Sequence, residues 1–173
     1  MGKKKIVITG LPGSGKTSFA TKLSKSLNIP LYHLDKIVFL PGGAKRDKNE
    51  FIQLQNEIIK KKEWIIEGCG LSTLEMRYSQ AAIVIYFEVS RWLCLWRSLK
   101  RFLLERNLHP DTPEGCSKVF NFTLIKYIWG FKKNHKLKIK QLQRSYPKVK
   151  FYLVTNSSEA ADLQAEILEK VIL

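Results

Sequence analysis

The segment that most constrains the fold of this chain is a glycine-rich stretch, Gly10–Thr17, with the sequence Gly-Leu-Pro-Gly-Ser-Gly-Lys-Thr. It matches the pattern G-x-x-x-x-G-K-S/T, in which a loop wraps around phosphate groups. The apolar run Ile6–Ile8 leads into it, and the helix-compatible stretch Ser18–Leu27 follows it. A glycine-rich turn with an incidental lysine would not require this strand and helix on either side. The segment therefore predicts a strand, a phosphate-binding loop and a helix in succession, and the binding of a nucleoside triphosphate.

The residue types in this loop suit phosphate binding. Glycine accepts a positive φ and has no Cβ to block a phosphate, so the backbone N–H groups can turn toward an anion at the helix N-terminus. We expect Lys16 to reach the β- and γ-phosphates of ATP and the Thr17 hydroxyl to bind Mg²⁺. The predicted nucleotide-binding residues of the loop are Gly10, Pro12, Gly13, Ser14, Gly15, Lys16, Thr17 and Ser18.

Strand-like and helix-like segments alternate along all 173 residues, which is typical of a single α/β domain with a parallel sheet. The predicted strands are Lys5–Thr9, Leu31–Leu34, Trp64–Glu67, Ala82–Glu88 and Lys150–Val154. The predicted helices run from the phosphate loop to Leu27, over Lys48–Lys60, briefly after Leu71, over about Arg91–Arg106, from near Phe120 onward, and over Ser158–Val171. The fourth of these carries Trp92, Trp96, Leu99 and Leu103 on one face.

The chain is strongly basic, with a net charge of +15. Between Arg91 and Lys150 there are fifteen Lys and Arg residues but only three Asp and Glu residues. Such a concentration predicts contact with polyanions, either nucleotide phosphates or nucleic acid, or else a solvated basic face. Charge alone does not separate these alternatives.

Cysteine spacing and hydropathy indicate the setting of the protein. The three cysteines show no paired spacing, which is typical of free thiols in a reducing cytoplasm. The longest apolar run, Ala81–Phe87, is too short to cross a membrane. We therefore expect a globular cytoplasmic protein that does not insert into a membrane.

Polar residues follow several predicted strands, where ligands of open parallel sheets bind. After the second strand, Asp35 is expected to orient an acceptor hydroxyl or phosphate, or to hold a water bound to Mg²⁺; a turn or cap role is the alternative. Glu67, after the third strand, is predicted to serve the metal through a water, and Glu88, after the fourth, is the rival carboxylate. The three histidines, His33, His109 and His135, are too dispersed to predict a zinc site.

Three arginines precede a loop-like segment rich in proline and glycine, Asn107–Cys116. Arg97 and Arg101 are four residues apart and share a helix face, and Arg106 lies at the base of the loop. Planar guanidinium groups stabilise the charge that phosphoryl transfer spreads over oxygen atoms. Lys16, Asp35, Arg97, Arg101 and Arg106 are therefore the predicted catalytic residues, although Arg101 also has Glu105 as a possible partner on a solvated face.

Five segments together resemble the bacterial DNA topology modulation protein family. They are Gly10–Thr17, Tyr32-His33-Leu34-Asp35, Trp64-Ile65-Ile66-Glu67-Gly68, Arg91-Trp92-Leu93-Cys94-Leu95-Trp96-Arg97 and Glu114-Gly115-Cys116. The resemblance implies the fold of adenylate kinase-like P-loop proteins, a three-layer α/β sandwich whose five-stranded parallel sheet has the order 2-3-1-4-5. It also implies an acceptor-binding insertion at Pro41–Lys62, a short lid at Asn107–Cys116, and a position near the nucleotide base for Asn156.

Two departures from these families limit what the resemblance implies. The third strand ends in Glu67-Gly68-Cys69-Gly70, where the family has Asp-Gly-Asn-Tyr, and the Asp-Gly-Phe-Pro-Arg sequence of adenylate kinases is absent from the chain. The identity of the acceptor therefore does not follow from adenylate kinase.

The sequence leaves three functions open. The first is an ATP-dependent kinase of a nucleotide or of another small molecule with a hydroxyl or phosphate. The second is a nucleic-acid-binding ATPase that modulates DNA topology, and the third is a nucleotide-gated switch without catalysis. The second is supported by a basic run that contains Lys132, Lys133, Lys136, Lys138, Lys140 and Arg144.

Overall fold

The computed structural model describes residues 4–104 and 122–172. Five parallel strands form one sheet in the order β2-β3-β1-β4-β5, which confirms the predicted topology. The strands are β1 (Lys5–Gly10), β2 (Leu31–His33), β3 (Trp64–Glu67), β4 (Ile83–Phe87) and β5 (Lys150–Val154). The helices are α1 (Lys16–Leu27), α2 (Leu34–Val38), α3 (Lys48–Lys60), α4 (Leu74–Tyr78), α5 (Arg91–Leu104), α6 (Phe122–Ser145) and α7 (Ser157–Ile172).

Alternation of side chains along the central strand divides the core between the two faces of the sheet. Ile6 and Ile8 of β1 pack with residues of α1 and α7 on one face, whereas Val7 packs with residues of α3, α4 and α6 on the other. All six residues of β1 and all four of β3 are buried, as expected for strands covered on both sides. The result is the predicted three-layer sandwich.

The register of the sheet aligns the ends of three neighbouring strands. Glu67, the last residue of β3, pairs with Ile8 on β1 and with His33, the last residue of β2. On the other side of β1, Gly10 pairs with Phe87, the last residue of β4. The segments that follow these strands therefore meet at one edge of the sheet, around the start of α1.

The predicted elements differ from the structure mainly at short segments. Leu34 was expected to end a strand, but it begins α2, and a 3₁₀ turn at Leu71–Thr73 precedes α4. Arg106 and the predicted lid Asn107–Cys116 lie outside the described residues. In the part of the chain that the structure covers, no helix has both the length and the apolar character needed to span a membrane.

Candidate functional site

The phosphate loop joins β1 to α1 and has positive φ values at three glycines: 146° at Gly10, 77° at Gly13 and 95° at Gly15. A Cβ on Gly10 would lie 2.5 Å from the carbonyl oxygen of Phe87, and a Cβ on Gly13 would lie 2.4 Å from that of Cys94. At these two positions glycine is required by the close approach of β4 and α5. Gly15 is different, because its nearest neighbour would be the Arg97 Nη1 at 3.9 Å. The loop is therefore open to a ligand at Gly15.

Lys16, the first residue of α1, forms a buried ion pair with Glu67 at the end of β3. The distance from Nζ to Oε1 is 3.0 Å, and the two side chains are 7% and 3% exposed. Burial lowers the pKa of Lys16, but the attraction of Glu67, Cys69 and Asp35 outweighs it and holds that pKa well above its ordinary value. Lys16 is therefore a charged ammonium next to the phosphate loop, and its contact with the phosphates of a nucleotide stays a prediction.

The second oxygen of Glu67 contacts His33. The distance from Nδ1 to Oε2 is 3.0 Å, and the His33 side chain is 11% exposed. Burial raises the pKa of Glu67, but the charge of Lys16 and the hydrogen bond from His33 outweigh it and lower that pKa to about 2. Because an ionised carboxylate only accepts hydrogen bonds, Nδ1 of His33 is the donor.

The two candidate metal carboxylates have different surroundings. Glu88 forms an ion pair with Lys136 of α6, with 2.9 Å between Oε1 and Nζ. Glu67, by contrast, directly contacts the lysine of the phosphate loop. No group of three or more His, Cys, Asp or Glu side chains in residues 4–104 and 122–172 is arranged to hold a metal ion.

A cleft of about 390 Å³ lies beside the phosphate loop. It is bounded by Ser14, Gly15 and the first turns of α1, by Arg97 of α5, and by the start of α7 with Asn156 and Ser157. The Arg97 Nη2 lies 3.4 Å from the Ser157 hydroxyl, which links α5 to α7 across this cleft. Five of the predicted site residues therefore line this cleft: Ser14, Gly15, Ser18, Arg97 and Asn156. Pro12 in the loop and Thr17 in the first turn of α1 are half-buried.

Asn156 also has a structural role as the N-cap of α7. Its Oδ1 accepts a hydrogen bond from the Glu159 backbone N–H at 3.0 Å, and its Nδ2 donates to the Glu159 carboxylate at 2.8 Å. The first bond satisfies one of the free backbone N–H groups at the start of the helix, and the second holds the Asn156 side chain in place. Any contact of Asn156 with a nucleotide would therefore come from a residue that is already fixed in place.

Asp35 lies in the first turn of α2 and is exposed. Its charge is one of those that raise the pKa of Lys16. Arg101 belongs to α5, but its side chain, like the whole of Arg106, falls outside what the structure describes. Among the predicted catalytic residues, Lys16 begins α1 directly after the loop, and the Arg97 side chain lies next to Gly15.

Sequence reasoning missed three side chains near this site. The first is His33, which the sequence placed after the second strand at this edge of the sheet but favoured as a packed or turn histidine over a ligand. The second is His135 of α6, which is fully buried and lies 3.1 Å from the Thr9 hydroxyl, one residue before the phosphate loop. The third is Arg77 of α4, which is also fully buried and donates to the carbonyl oxygen of Gly70. Only His33 had a usable signal, because the predicted strand order 2-3-1 places the ends of the second and third strands side by side.

The basic run on α6 is partly neutralised within the chain. Lys136 pairs with Glu88, and Lys138 pairs with Glu75 of α4 at 2.6 Å. Arg91, at the start of α5, lies 5.0 Å from the centre of the Trp129 ring and stacks on it. These cations contact groups of their own chain, so less of the charge in this segment is available to a polyanion than the sequence indicated.

Comparison with known proteins shows the fold. No protein-family model and no curated protein sequence matches the chain. Solved structures with a similar fold include shikimate kinase from Acinetobacter baumannii in complex with shikimate, with a TM-score of 0.53, 20% identity, and coverage of 96% of this chain and 92% of that one. Shikimate kinase from Bacteroides thetaiotaomicron has a TM-score of 0.51, 15% identity, and coverage of 97% and 98%.

A third similar structure is a gluconokinase from Sinorhizobium meliloti, with a TM-score of 0.51, 14% identity, and coverage of 98% of this chain and 96% of that one. The chain therefore has the fold of P-loop kinases over nearly its whole length. Its membership of the DNA topology modulation protein family is not confirmed by these comparisons and stays a prediction.

Proposed function

We propose that this protein is an ATP-dependent kinase that transfers the γ-phosphoryl group of ATP to a small acceptor with a hydroxyl or phosphate group. The observation that carries this proposal is the buried contact between Lys16 and Glu67, 3.0 Å long, at the opening of the phosphate loop. An ammonium and an ionised carboxylate in contact at this position would suit a triphosphate and its metal ion, which supports the proposal. The names of the similar structures, shikimate kinase and gluconokinase, support a small acceptor.

The donor half of the proposed site consists of the phosphate loop and the cleft beside it. The backbone N–H groups of the loop and the N-terminus of α1 would hold the phosphates. The cleft of about 390 Å³ has room for the base and ribose of ATP, with Asn156 and Ser157 as polar groups at its wall. Arg97, which lies between Gly15 and Ser157, would stabilise charge on the transferred group.

The residues present fit a Mg²⁺ ion. The Thr17 hydroxyl and, through a water, the Glu67 carboxylate would hold it, and a pKa of about 2 keeps that carboxylate ionised at any physiological pH. When bound, the ion would neutralise charge on the β- and γ-phosphates. Mg²⁺ in phosphoryl-transfer sites typically keeps several waters and uses few protein ligands, and the donor set here has this character.

The acceptor half of the proposed site lies on the side of β2 and α2. Asp35 would accept a hydrogen bond from the acceptor hydroxyl and orient it, since it is exposed in the turn that follows β2 and its charge acts on Lys16. We further propose that Pro41–Lys62 contributes to acceptor binding, that Arg101, Arg106 and the lid Asn107–Cys116 complete the site, and that the protein acts in the cytoplasm.

The test is an acceptor screen with the purified protein, ATP and Mg²⁺, in which ADP release is coupled to a spectroscopic signal. The panel contains nucleosides, nucleoside monophosphates, shikimate, gluconate and other small hydroxylated acids. We expect at least one acceptor to raise ADP release well above the acceptor-free rate. Lys16→Ala should lower that rate by at least 100-fold, because Lys16 is the ammonium at the phosphate loop, and Arg97→Ala should lower kcat more than it raises the KM for ATP.

The matched control is Lys25→Ala, which removes an exposed lysine from the last turn of the same helix and should leave the rate unchanged. If no acceptor in the panel raises ATP consumption above background, the kinase proposal is wrong.

A second candidate is the nucleic-acid-binding ATPase, since the net charge of +15 favours contact with a polyanion. The ion pairs of Lys136 and Lys138 reduce the charge that α6 presents to such a partner. We therefore place this function second.

A further inference from the structure

We propose that His33 is a positioning residue that acts through Glu67: it fixes the carboxylate so that Mg²⁺ strengthens nucleotide binding. This inference rests on the proposed function, because it assigns a role within the same ATP site. It assigns His33 no contact with the nucleotide or the metal.

The first argument is the arrangement of the three side chains. The two oxygens of Glu67 have different partners: Lys16 contacts Oε1 and His33 contacts Oε2, each at 3.0 Å. Register pairing in the sheet places His33 beside Glu67 on adjacent strands, so the position of the donor is set by the backbone. All three side chains are nearly buried, with exposures of 7%, 3% and 11% for Lys16, Glu67 and His33.

The second argument is what happens to these contacts when a triphosphate binds. Lys16 would turn some of its N–H groups toward the phosphates, and Oε1 of Glu67 would then be available to accept from a metal-bound water. The bond from His33 to Oε2 does not depend on Lys16 and would keep the plane of the carboxylate unchanged. Because the carboxylate is already fixed in this orientation, binding of the metal would cost little further conformational entropy.

The third argument is what the site would lose without the histidine. With no donor at Oε2, the carboxylate could rotate and present both oxygens to Lys16, which would compete with the metal-bound water. Partners of this kind, which orient a metal-binding group without touching the metal, typically contribute 10- to 100-fold to metal affinity or activity. We therefore expect the loss of His33 to appear in the effect of Mg²⁺ and not in nucleotide binding without metal.

The experiment is a calorimetric titration with a non-hydrolysable ATP analogue, in the presence of Mg²⁺ and in the presence of a chelator. Two replacements separate positioning from packing. His33→Asn retains an N–H donor near the Nδ1 position, whereas His33→Leu retains the bulk but removes the donor. We expect wild type and His33→Asn to bind the analogue more tightly with Mg²⁺, and His33→Leu to lose at least 10-fold of this tightening while its metal-free affinity changes less than threefold.

A double-mutant cycle with Glu67→Gln provides an independent check. Because His33 acts through Glu67, Glu67→Gln should remove the same Mg²⁺-dependent tightening, and the double variant should lose no more than either single variant. Additive losses would overturn the proposal. Should His33→Leu fail to fold, His33→Gln, which moves the donor farther along the side chain, gives the same comparison with His33→Asn.

The remaining outcomes also decide the matter. If wild type binds the analogue and His33→Leu keeps its full response to Mg²⁺, or if its affinity falls equally with and without metal, the positioning role is wrong and the kinase proposal stands. If wild type does not bind the analogue under either condition, the proposed function fails and the role of His33 fails with it.

Discussion

His135 is a single buried histidine that connects α6 to the strand before the phosphate loop. Its Nε2 lies 3.1 Å from the Thr9 hydroxyl, and its ring stacks on Tyr86 of β4 with 5.3 Å between ring centres. Burial lowers the pKa of His135 to about 4, with a smaller lowering contribution from Arg77 and an opposing one from a backbone hydrogen bond at Cys69. His135 is therefore neutral in the folded protein at neutral pH.

This pKa predicts how stability depends on pH. An unfolded histidine binds a proton near pH 6.5 and the folded His135 only near pH 4, so the unfolded state holds more protons between these values. The free energy of unfolding should therefore fall as the pH drops from about 6.5 to about 4, by up to about 3 kcal/mol from this group. Urea unfolding at several pH values measures how steeply the free energy of unfolding changes with pH.

The comparison variant is His135→Gln, which keeps an amide near Thr9 but does not titrate. Its slope between pH 6.5 and pH 4 should be shallower than that of wild type. Glu67 does not obscure the result, because its pKa of about 2 delays the loss of its contribution until the pH falls from about 4.5 toward 2. Equal slopes for wild type and variant would contradict the assignment of a neutral buried histidine.

At the residue scale, the sequence predicted candidate site residues that belong to a motif or end a buried strand. Lys16 and Glu67 are of this kind, and the structure places them in contact. His135 and Arg77 were not predicted, because a single polar residue within a helical pattern is usually solvated. Their burial depends on which face of α6 and α4 meets the sheet, and this is decided by tertiary packing.

At the element scale, a buried polar network joins α3 and α4 to the loop after β3. The Arg77 Nη1 donates to the side-chain oxygens of Gln55 at 2.8 Å and Thr73 at 2.7 Å, and its Nη2 donates to the Gly70 carbonyl at 3.1 Å. Burial lowers the pKa of Arg77 to about 9, so the guanidinium stays charged at neutral pH. The network connects the segment proposed to bind the acceptor with the loop next to Glu67.

Removal of the guanidinium should be costly. Arg77→Met removes the guanidinium donor from the Thr73 hydroxyl and the Gly70 carbonyl, and it leaves the Gln55 side-chain oxygen with the Thr73 hydroxyl as donor. We expect it to lower the free energy of unfolding by about 3 kcal/mol. Arg144→Met, on an exposed part of α6, is the control and should change stability by less than about 0.5 kcal/mol. Adding Thr73→Val and Gln55→Leu to Arg77→Met should recover part of the loss, because the unsatisfied groups are then removed. Urea unfolding of Arg77→Met that matches wild type would contradict this account.

The packing of α5 shows why the extent of a helix is easier to predict than the side of the helix that is buried. Trp92, Trp96 and Leu103 share one face of the helix by spacing, but they are 71%, 63% and 68% exposed. The buried face instead carries Cys94 and Ser98, because α5 lies directly against Gly13 and only small side chains fit there. Hydrophobic spacing indicated the helix correctly, whereas the phosphate loop determines which face packs.

At the scale of the whole molecule, the fold was predictable and the acceptor was not. The alternation of strands and helices around the phosphate loop is a repeated pattern, and it was sufficient to predict a parallel α/β sheet. The sheet order 2-3-1-4-5 came from the resemblance to adenylate kinase-like proteins, and the structure confirms it. The proposed acceptor site would depend on a few side chains of α2, α3 and their loops, which follow no repeated pattern. Structures at 14% to 20% identity share the fold, but a shared fold does not determine the acceptor.

The charge of the whole molecule supports a test that separates the two candidate functions. A kinase that uses its basic surface to attract ATP should bind DNA only weakly and without sequence preference. We expect fluorescence anisotropy with a 20-base-pair duplex to show binding at low salt that weakens steeply, with a slope of about 0.9 in log affinity against log salt for each phosphate contacted. At physiological salt the dissociation constant should be micromolar or weaker, as in other non-specific complexes.

Charge variants locate the surface involved. Lys140 and Arg144 are exposed on α6, and Lys22 and Lys25 are exposed on α1, so two double alanine variants remove equal charge from opposite faces of the sheet. If binding is non-specific, both variants should weaken it to a similar extent. A nucleic-acid-binding ATPase would instead bind the duplex with a dissociation constant below micromolar at physiological salt. In that case only the α6 variant would reduce the slope of log affinity against log salt, by up to about 2 for two lost phosphate contacts. That result would favour the second candidate function over the kinase, since a surface used only to attract ATP has no reason to discriminate between the two faces.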